Sequence, residues 1–288
     1  LGFSAKAIFV KLAYPYGVGP LALLTLRMAF SAPVFLVIAI RCSRNTVTLS
    51  IRDWLSLIVL GILGYYGSSL LDFIGLQHIS AGLERLILFS YPTLTVLIAT
   101  LVLGRPLKNS DLLALALAWT GIALAFAHDI KLGGGSAVWI GGSFVFASAV
   151  CYAIYLTGCG EMLARIGSRR FTALALCVST AASFLHFATT HPLAELSQPA
   201  PVMLLAAAMA VFSTILPVFM LSAAIRSIGA SRAALIGSIG PVITIGLSVI
   251  FLGETISFAQ IAGTVLVLAG VMLTGRQARR PAAPAKAG

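Results

Sequence analysis

The stretch that decides the fold is ISAGLERLILFSYPTLTVLIATLVLG, residues 79–104, because its pattern returns in IGASRAALIGSIGPVITIGLSVIFLG, residues 228–253. A shift of 149 positions aligns residues 79–124 with residues 228–273 without a gap. Shared Leu and Ile carry little weight in apolar segments, but a proline, a threonine and two glycines also recur at this offset. These pairs are Pro92/Pro241, Thr95/Thr244, Gly104/Gly253 and Gly121/Gly270. The sequence therefore contains an internal duplication.

The composition is that of a membrane protein. Of the 288 residues, 59% are hydrophobic and 9% are charged, and the mean hydropathy is +1.04. Soluble domains carry about 25% charged residues, so this chain lacks the polar side chains that would cover a water-facing surface. Soluble enzymes, nucleic-acid-binding proteins and disordered tails are excluded on this ground. The net charge of +11 does not indicate a nucleic-acid partner, because the basic residues are spread among apolar segments.

Ten apolar stretches are candidates for membrane-spanning helices, which need about 20 residues each. They are residues 1–13, 20–40, 54–75, 81–103, 112–127, 138–156, 171–188, 202–224, 233–252 and 258–274. The first stretch is too short to span and does not begin with Met, so we expect the first helix to be incomplete at its start. The sequence thus predicts an all-α membrane protein with ten transmembrane helices.

The duplication predicts how these helices are arranged. Each half has five spans, an odd number, so the second half enters the membrane upside down, and we expect two inverted five-helix repeats around a central cavity. The predicted divisions are the first repeat at 1–127, an outer linker at 128–137, the second repeat at 138–275 and a disordered cytoplasmic tail at 276–288. Such repeats are typical of secondary transporters, which alternate access to a site between the halves.

The basic residues predict the orientation. If the C-terminus is cytoplasmic, 14 Lys and Arg residues lie on the inner side and only Lys131 lies in an outer loop. The inner set is Arg41, Arg44, Arg52, Arg105, Lys108, Arg165, Arg169, Arg170, Arg226, Arg232, Arg276, Arg279, Arg280 and Lys286. This asymmetry follows the positive-inside rule, and it predicts that both termini are cytoplasmic.

Six charged residues fall inside the predicted spans, all in the first half: Lys6, Lys11, Arg27, Asp72, Glu84 and Arg85. Counting along the helices places all six in one layer of the outer leaflet, with Lys6 and Arg27 deepest at roughly 10 Å. Charges there are costly and commonly functional, and four bases against two acids favour a substrate with a carboxylate. A structural clamp, or side chains that merely reach the outer interface, are the alternatives.

Three helices carry aromatic and polar side chains at helical spacing. One face of the third holds Tyr65, Ser68 and Asp72, one face of the fourth holds Glu84 and Tyr91, and one face of the sixth holds Tyr152 and Tyr155. Polar groups in apolar helices are expected to face the bundle. These faces are predicted to line a site for an amphipathic solute of amino-acid size, with ordinary helix packing as the alternative.

Two prolines and one histidine complete the candidate residues. Pro92 and Pro241 occupy matched positions and are predicted to kink their helices and mark the bending points of two gates. His78, in the turn after the third helix, is a candidate for a coupling step because an imidazole titrates near neutral pH. A loop histidine without a role is the alternative reading of His78.

These residues resemble the drug/metabolite transporter superfamily, in its EamA-type ten-helix branch. The resemblance rests on Lys11, on Arg27 in LRMAF, and on residues 75–104, 227–254 and 260–273. Within the branch it is greatest to amino-acid exporters of the YddG kind. It implies export of amino acids or similar small metabolites across a bacterial inner membrane. Many members carry Glu at the position of Arg105, and this departure argues against a functional role for the matched Glu254.

The sequence lacks motifs that are typical of ATP-driven proteins, metalloenzymes and hydrolases. The sequence has no GxxxxGK[ST] phosphate loop, no HExxH motif and no GxSxG elbow, so no metal or cofactor is predicted. A secondary transporter, expected to be monomeric in the lipid bilayer, is favoured. The alternative is a membrane-embedded enzyme that acts on a lipid or isoprenoid phosphate at the outer basic layer. For coupling, the sequence favours uniport or a weak link to protons, because the candidate carboxylates lie away from the midplane.

Overall fold

The computed structural model describes residues 2–44, 46, 48–104, 106–131, 135–228, 237 and 239–277. Within these ranges the chain forms helices and connecting turns and no strand, which confirms the all-α prediction there. Several residues used above lie outside the described residues: Arg105, Arg232, Arg279, Arg280 and Lys286, together with 132–134 of the predicted linker and 278–288 of the predicted tail.

The helices follow one another with short connections. They are α1 (Gly2–Ala13), α2 (Pro20–Ser43), α3 (Ile51–Leu76), α4 (Ala81–Leu103), α5 (Asn109–Asp129), α6 (Gly135–Ile166), α7 (Ser168–Thr190), α8 (200–228), α9 (Gly240–Leu252) and α10 (Phe258–Gln277). Helix α3 contains a π-helical segment at Ile62–Gly67 and α8 contains one at Val211–Ile215. Helix α4 is interrupted at residues 89–90.

Seven helices in the described part of the chain, α2 to α8, are long and apolar enough to cross a membrane. Helix α9 and the portion Phe258–Leu273 of α10 are apolar but shorter, and α1 has 12 residues. The chain is therefore a helical protein suited to a bilayer, with seven candidate spans and further apolar helices. The count of ten spans stays a prediction.

Helix boundaries in the two halves agree at the offset of 149 residues. The matched elements are Ile51–Gly61 with Ala200–Ala210, the π segments that begin at Ile62 and Val211, and Tyr91–Leu103 with Gly240–Leu252. The segments Tyr91–Leu103 and Gly240–Leu252 are each followed by a glycine in the left-handed conformation, Gly104 and Gly253, both with φ 64°. Only glycine adopts this conformation without strain, so the paired glycines reflect the same helix end in both halves.

The matched prolines each lie in the first turn of a helical segment. Pro92 lies in the first turn of Tyr91–Leu103 and Pro241 in the first turn of Gly240–Leu252. A proline is tolerated there because the first N–H groups of a helix have no partner within the helix. The bending of two gates at these prolines stays a prediction. In α4 the break precedes Pro92, at residues 89–90, because Pro92 has no N–H to donate to the Leu88 carbonyl and its ring crowds that carbonyl.

Helices α5 and α10 pack with their backbones in contact. A Cβ on Gly121 would lie 2.5 Å from the Gly263 carbonyl oxygen, and one on Gly263 would lie 2.5 Å from the Gly121 carbonyl oxygen. Further along, a Cβ on Gly270 would lie 2.6 Å from the Ala114 carbonyl oxygen. Residue numbers rise along α5 as they fall along α10, so the two helices are antiparallel. Because 121 and 114 match 270 and 263, each half contributes the same contact to the other.

Helices α2 and α7 are also antiparallel neighbours. Near one end, the hydroxyl oxygens of Thr25 and Ser183 are 2.8 Å apart. Near the other, Nε of Arg170 donates to the Ser43 hydroxyl at 3.3 Å. Hydroxyl groups join apolar helices in this way where no water competes for them.

We expect Gly121→Ala and Gly263→Ala each to destabilise the protein by about 1–3 kcal/mol, the usual cost of overpacking a closely packed contact. The new Cβ would meet backbone atoms, which yield less than side chains. Gly246→Ala in α9 is the control, because a Cβ there meets no atom within 4 Å. Melting temperatures in detergent measure the effect, and equal values for all three variants would contradict the prediction.

Candidate functional site

Buried charged residues surround the C-terminal half of α3, and we call them the charge cluster: Lys6, Arg27, Asp72, Glu84 and Arg85. Its central pair joins Lys6 of α1 to Asp72 of α3, with Nζ 2.6 Å from Oδ2. The Asp72 side chain is 1% exposed and that of Lys6 is 14% exposed. A lone charge in an apolar medium costs several kcal/mol, roughly, so each partner needs the other to stay ionised.

Helix α4 adds Glu84 and Arg85 to this cluster. The Ser80 hydroxyl accepts the Leu83 N–H at 3.1 Å and starts the helix, which places both charges in its opening turns. The Glu84 side chain is completely buried and lies within electrostatic reach of Asp72. Nε of Arg85 lies 3.8 Å from Oε2 of Glu84, an ion pair at longer range.

Arg27 of α2 lies beside the same cluster. It is 5% exposed, and one terminal nitrogen, Nη2, donates to the Ser69 hydroxyl at 3.0 Å. Its guanidinium carbon is 5.1 Å from the centre of the Phe73 ring, a cation–π distance. Nε of Arg27 is buried and has no hydrogen-bond acceptor in the described structure. A buried donor of this kind is suited to an anionic group that arrives from outside the protein.

The sequence placed Lys11 in the same layer, and the structure brings it near a further charge, Glu254. Lys11 lies within electrostatic reach of Glu254. The Glu254 carboxylate accepts the backbone N–H groups of Ala81 at 2.9 Å and Gly82 at 3.4 Å, the first donors of α4. Anions at a helix N-terminus are stabilising, so Glu254 joins the second half of the chain to the first. The sequence argument against a role for Glu254 missed this contact.

The four candidate tyrosines come together from α3, α4 and α6. The hydroxyl oxygens of Tyr65 and Tyr155 are 3.1 Å apart, and their rings are 5.3 Å apart. Tyr152 stacks on Tyr155 at 5.7 Å and meets the edge of Tyr91 at 5.1 Å. The three faces inferred from helical spacing therefore share one aromatic cluster, which we call the tyrosine cluster.

The π segment of α3 makes room for this cluster. A Cβ on Gly64 would lie 2.4 Å from the Tyr155 ring, so only glycine allows the ring to lie against the helix. The Ser68 hydroxyl donates to the Gly64 carbonyl at 2.6 Å, and the Ser148 hydroxyl donates to the Ser68 carbonyl at 2.7 Å. Ser68 thus satisfies its own helix and anchors α6, and its hydroxyl does not point at the tyrosine rings.

His78 lies apart from both clusters. It is exposed in the turn after α3, and its Cβ lies close to Gly141 of α6. A cavity of about 490 Å³ opens on the same predicted outer side, and its lining includes Pro20, Leu70, His186 and Glu195. None of the predicted substrate-binding residues lines it. The central cavity expected between the halves stays a prediction.

Tyr14 belongs to the charge cluster, although the sequence did not indicate it. Its hydroxyl donates to the carbonyl of Phe73, the residue after Asp72, and so fixes the end of α3. Burial, together with the nearby Asp72 carboxylate, raises the pKa of Tyr14, so the phenol stays protonated and able to donate. A tyrosine in a loop carries no sequence signal that separates this role from anchoring at the membrane interface.

Comparison with known proteins gives the class. Residues 1–127 and 139–276 match the EamA-like transporter family. The chain is 33% identical over 274 residues to YcbK, an uncharacterized transporter of Bacillus subtilis (strain 168), covering 91% of this chain and 85% of that one. It is 28% identical over 293 residues to YyaM, an uncharacterized transporter of the same organism, covering 98% and 93%. A crystal structure of a protein superposes with a TM-score of 0.65 at 19% identity, covering 97% and 95%, a likeness in fold alone.

The helical fold and these matches define a multi-pass membrane transporter. The chain belongs to the EamA-like transporter family. This confirms the resemblance to the drug/metabolite transporter superfamily at the level of the family, and small-molecule transport is the activity that the family name carries. The narrower resemblance to amino-acid exporters stays a prediction.

We expect Lys6→Met and Asp72→Asn each to lower the stability of the protein by about 3–5 kcal/mol, because each leaves its partner as an uncompensated buried charge. The double variant removes both charges and should lose less than the sum of the two single losses. Thermal unfolding of the four proteins in detergent gives the coupling energy. Additive losses would show that the ion pair does not hold α1 against α3.

Proposed function

We propose that this protein is a secondary transporter that exports amino acids, in particular aromatic or otherwise amphipathic ones, or related small metabolites. The observation that carries the proposal is the cluster of buried charges beside the tyrosine cluster, inside the apolar helices of a transporter-family chain. Charged residues buried within membrane spans are expensive and mark transport pathways in other membrane proteins. An amphipathic solute needs both a charged surface and an aromatic one, and the two clusters offer them.

Transport by alternating access between two inverted five-helix repeats is part of the proposal. Helix boundaries that match at 149 residues support the duplication. The family matches at 1–127 and 139–276 nearly coincide with the two predicted repeats. Helix α2 packs antiparallel to its counterpart α7, and α5 to its counterpart α10, as inversion requires.

Charge and shape favour an amino acid as substrate. With Lys11 drawn to Glu254, the cluster holds three bases, Lys6, Arg27 and Arg85, and two acids, so one positive charge is in excess. A substrate carboxylate would neutralise it, and Nε of Arg27 offers a buried donor for that carboxylate. The tyrosine cluster would receive the side chain of the substrate through stacking and hydroxyl contacts.

The proposed setting is a bacterial inner membrane with both termini cytoplasmic, which rests on the 14 basic residues assigned to the inner side. In this orientation the charge cluster and the Glu254 contact lie toward the outer surface. The Glu254 carboxylate would then hold the outer side shut, because its bonds to Ala81 and Gly82 join the two halves there. The protein acts as a monomer in this proposal.

Purified protein in liposomes should exchange labelled L-phenylalanine, L-leucine or L-threonine in a counterflow assay and return the label chemically unchanged. Arg27→Gln should lower the exchange rate at subsaturating substrate about tenfold or more, since a hydrogen bond to a charged group is worth about 1.5–3 kcal/mol. Arg44→Gln, in an exposed turn, is the control and should match the wild type.

Two outcomes would contradict the proposed function. One is the absence of counterflow for every amino acid offered by protein that remains folded. The other is chemical conversion of an isoprenoid phosphate supplied in the same vesicles, which would favour the membrane-embedded enzyme.

Pro92→Ala and Pro241→Ala should each slow counterflow several-fold without abolishing it, because hinge positions commonly set the rate of conformational change. Alanine restores the backbone N–H and removes the ring that crowds the carbonyl four residues earlier, so the preceding turn can join the helix. Pro33→Ala is the control, since Pro33 lies inside α2 with its side chain exposed. If both gate variants exchange substrate at the wild-type rate, the two prolines are not gate hinges.

A further inference from the structure

The break in α4 leaves backbone groups without their usual partners. In a continuous helix the Leu88 carbonyl would accept from residue 92 and the Phe89 carbonyl from residue 93. Pro92 has no N–H, and the described residues show no hydrogen bond between the Thr93 N–H and the Phe89 carbonyl. Two successive rungs of the helix are therefore missing at residues 88–93.

Ser90 lies inside this gap, and in the described part of the chain its buried hydroxyl has no hydrogen-bond partner. Other hydroxyls in these helices donate to the carbonyl four residues earlier, as those of Ser68, Thr95 and Ser143 do. Ser213, in the π segment of α8, is the other described residue with a buried hydroxyl that lacks a partner. Because an unbonded hydroxyl is costly to bury, it is suited to a polar group that arrives from outside the protein.

The break lies between the two candidate clusters. Arg85 of the charge cluster precedes it by about one turn of α4, and Tyr91 of the tyrosine cluster follows it. The second half of the chain reaches the same point, because a Cβ on Gly240 of α9 would lie 3.2 Å from the Phe89 ring. Transporters built from repeats bind their substrates where discontinuous helices of the two halves meet.

The groups at the break favour a cation that carries N–H donors. The Leu88 and Phe89 carbonyls only accept hydrogen bonds, and the Ser90 hydroxyl oxygen has lone pairs that can accept as well. The segment Ala81–Leu88 ends at these carbonyls, and the C-terminal end of a helix carries partial negative charge. The rings of Phe89 and Tyr91, 5.8 Å apart, belong to the side chains that attract cations. An ammonium group has three N–H donors for these three acceptors.

We propose that the break of α4 is a subsite for the ammonium group of the substrate, formed by the Leu88 and Phe89 carbonyls and the Ser90 hydroxyl. The inference rests on the proposed function and deepens it, because it restricts the substrates to solutes that carry an amine. The proposed function gives the substrate carboxylate to Arg27 and its side chain to the tyrosine cluster, and this subsite holds the remaining group. Ser90 is completely buried, so the substrate enters the subsite when the helices move during transport.

Binding of paired ligands tests the subsite. The purified protein is titrated in a calorimeter with L-phenylalanine and L-leucine, and with 3-phenylpropionate and 4-methylpentanoate, which lack only the amine. The wild type should bind each amino acid at least tenfold more tightly than its deaminated analogue. Ser90→Ala should bind the amino acids about tenfold more weakly, since a hydrogen bond to a charged group is lost, and the deaminated acids as the wild type does.

Ser248→Ala in α9 is the matched control, because it also removes one buried hydroxyl. The Ser248 hydroxyl donates to the Ile245 carbonyl at 2.9 Å, and the variant should bind all four ligands as the wild type does. Melting temperatures without ligand give a second comparison. Ser90→Ala should melt at or above the wild type, because it deletes a hydroxyl without a partner, and Ser248→Ala should melt below it.

The outcomes separate this inference from the proposed function. A wild type that shows no preference for the amine would overturn the subsite, and counterflow of amino acids would still support the transporter. Ser90→Ala that weakens both kinds of ligand equally, or that melts well below the wild type, would show that the hydroxyl supports the fold and not the amine. The absence of counterflow would contradict the proposed function, while the titrations would still decide whether an amine is recognised at Ser90.

Discussion

A bilayer supplies neither donors nor acceptors, so every polar group within its core must be satisfied by the protein itself. In this chain the constraint gives helices throughout the described ranges, and it also decides how the charges are placed. Lys6 forms an ion pair with Asp72 at 2.6 Å, and Glu84 lies within electrostatic reach of Asp72. The Tyr14 hydroxyl donates to the carbonyl of Phe73. These polar contacts add to the apolar packing of α1 and α4 against α3.

Helix α3 is the element that connects the two candidate clusters. It carries Tyr65 toward the tyrosine cluster and Asp72 into the charge cluster. Its π segment lies between the ends of the helix and brings Gly64 against Tyr155. π segments occur often at functional sites because they free backbone groups and allow a helix to shift. Helix α8 of the second half contains a π segment at the matched position, Val211–Ile215.

Much of the candidate site followed from helical spacing alone. The faces that hold Tyr65, Tyr91 and Tyr155 do meet, because polar side chains in apolar helices turn toward the bundle. The depth argument predicted one layer of six charges but could not say that Lys11 would lie near Glu254, since depth does not tell which neighbour a helix face meets. The prolines were matched correctly, but the sequence did not show that each lies in the first turn of a helical segment.

The sequence by itself determined that this is a helical membrane protein, that it carries an internal duplication and that the charges inside its predicted spans all lie in the first half. Composition, period and offset are properties of the chain, and they do not depend on how its helices are packed. Only the tertiary structure decided which charges become partners. It brought Glu254 of the second half to the start of α4, and it brought Glu84 of α4 close to Asp72 of α3. Contacts between helices arise from packing rather than from spacing along the chain.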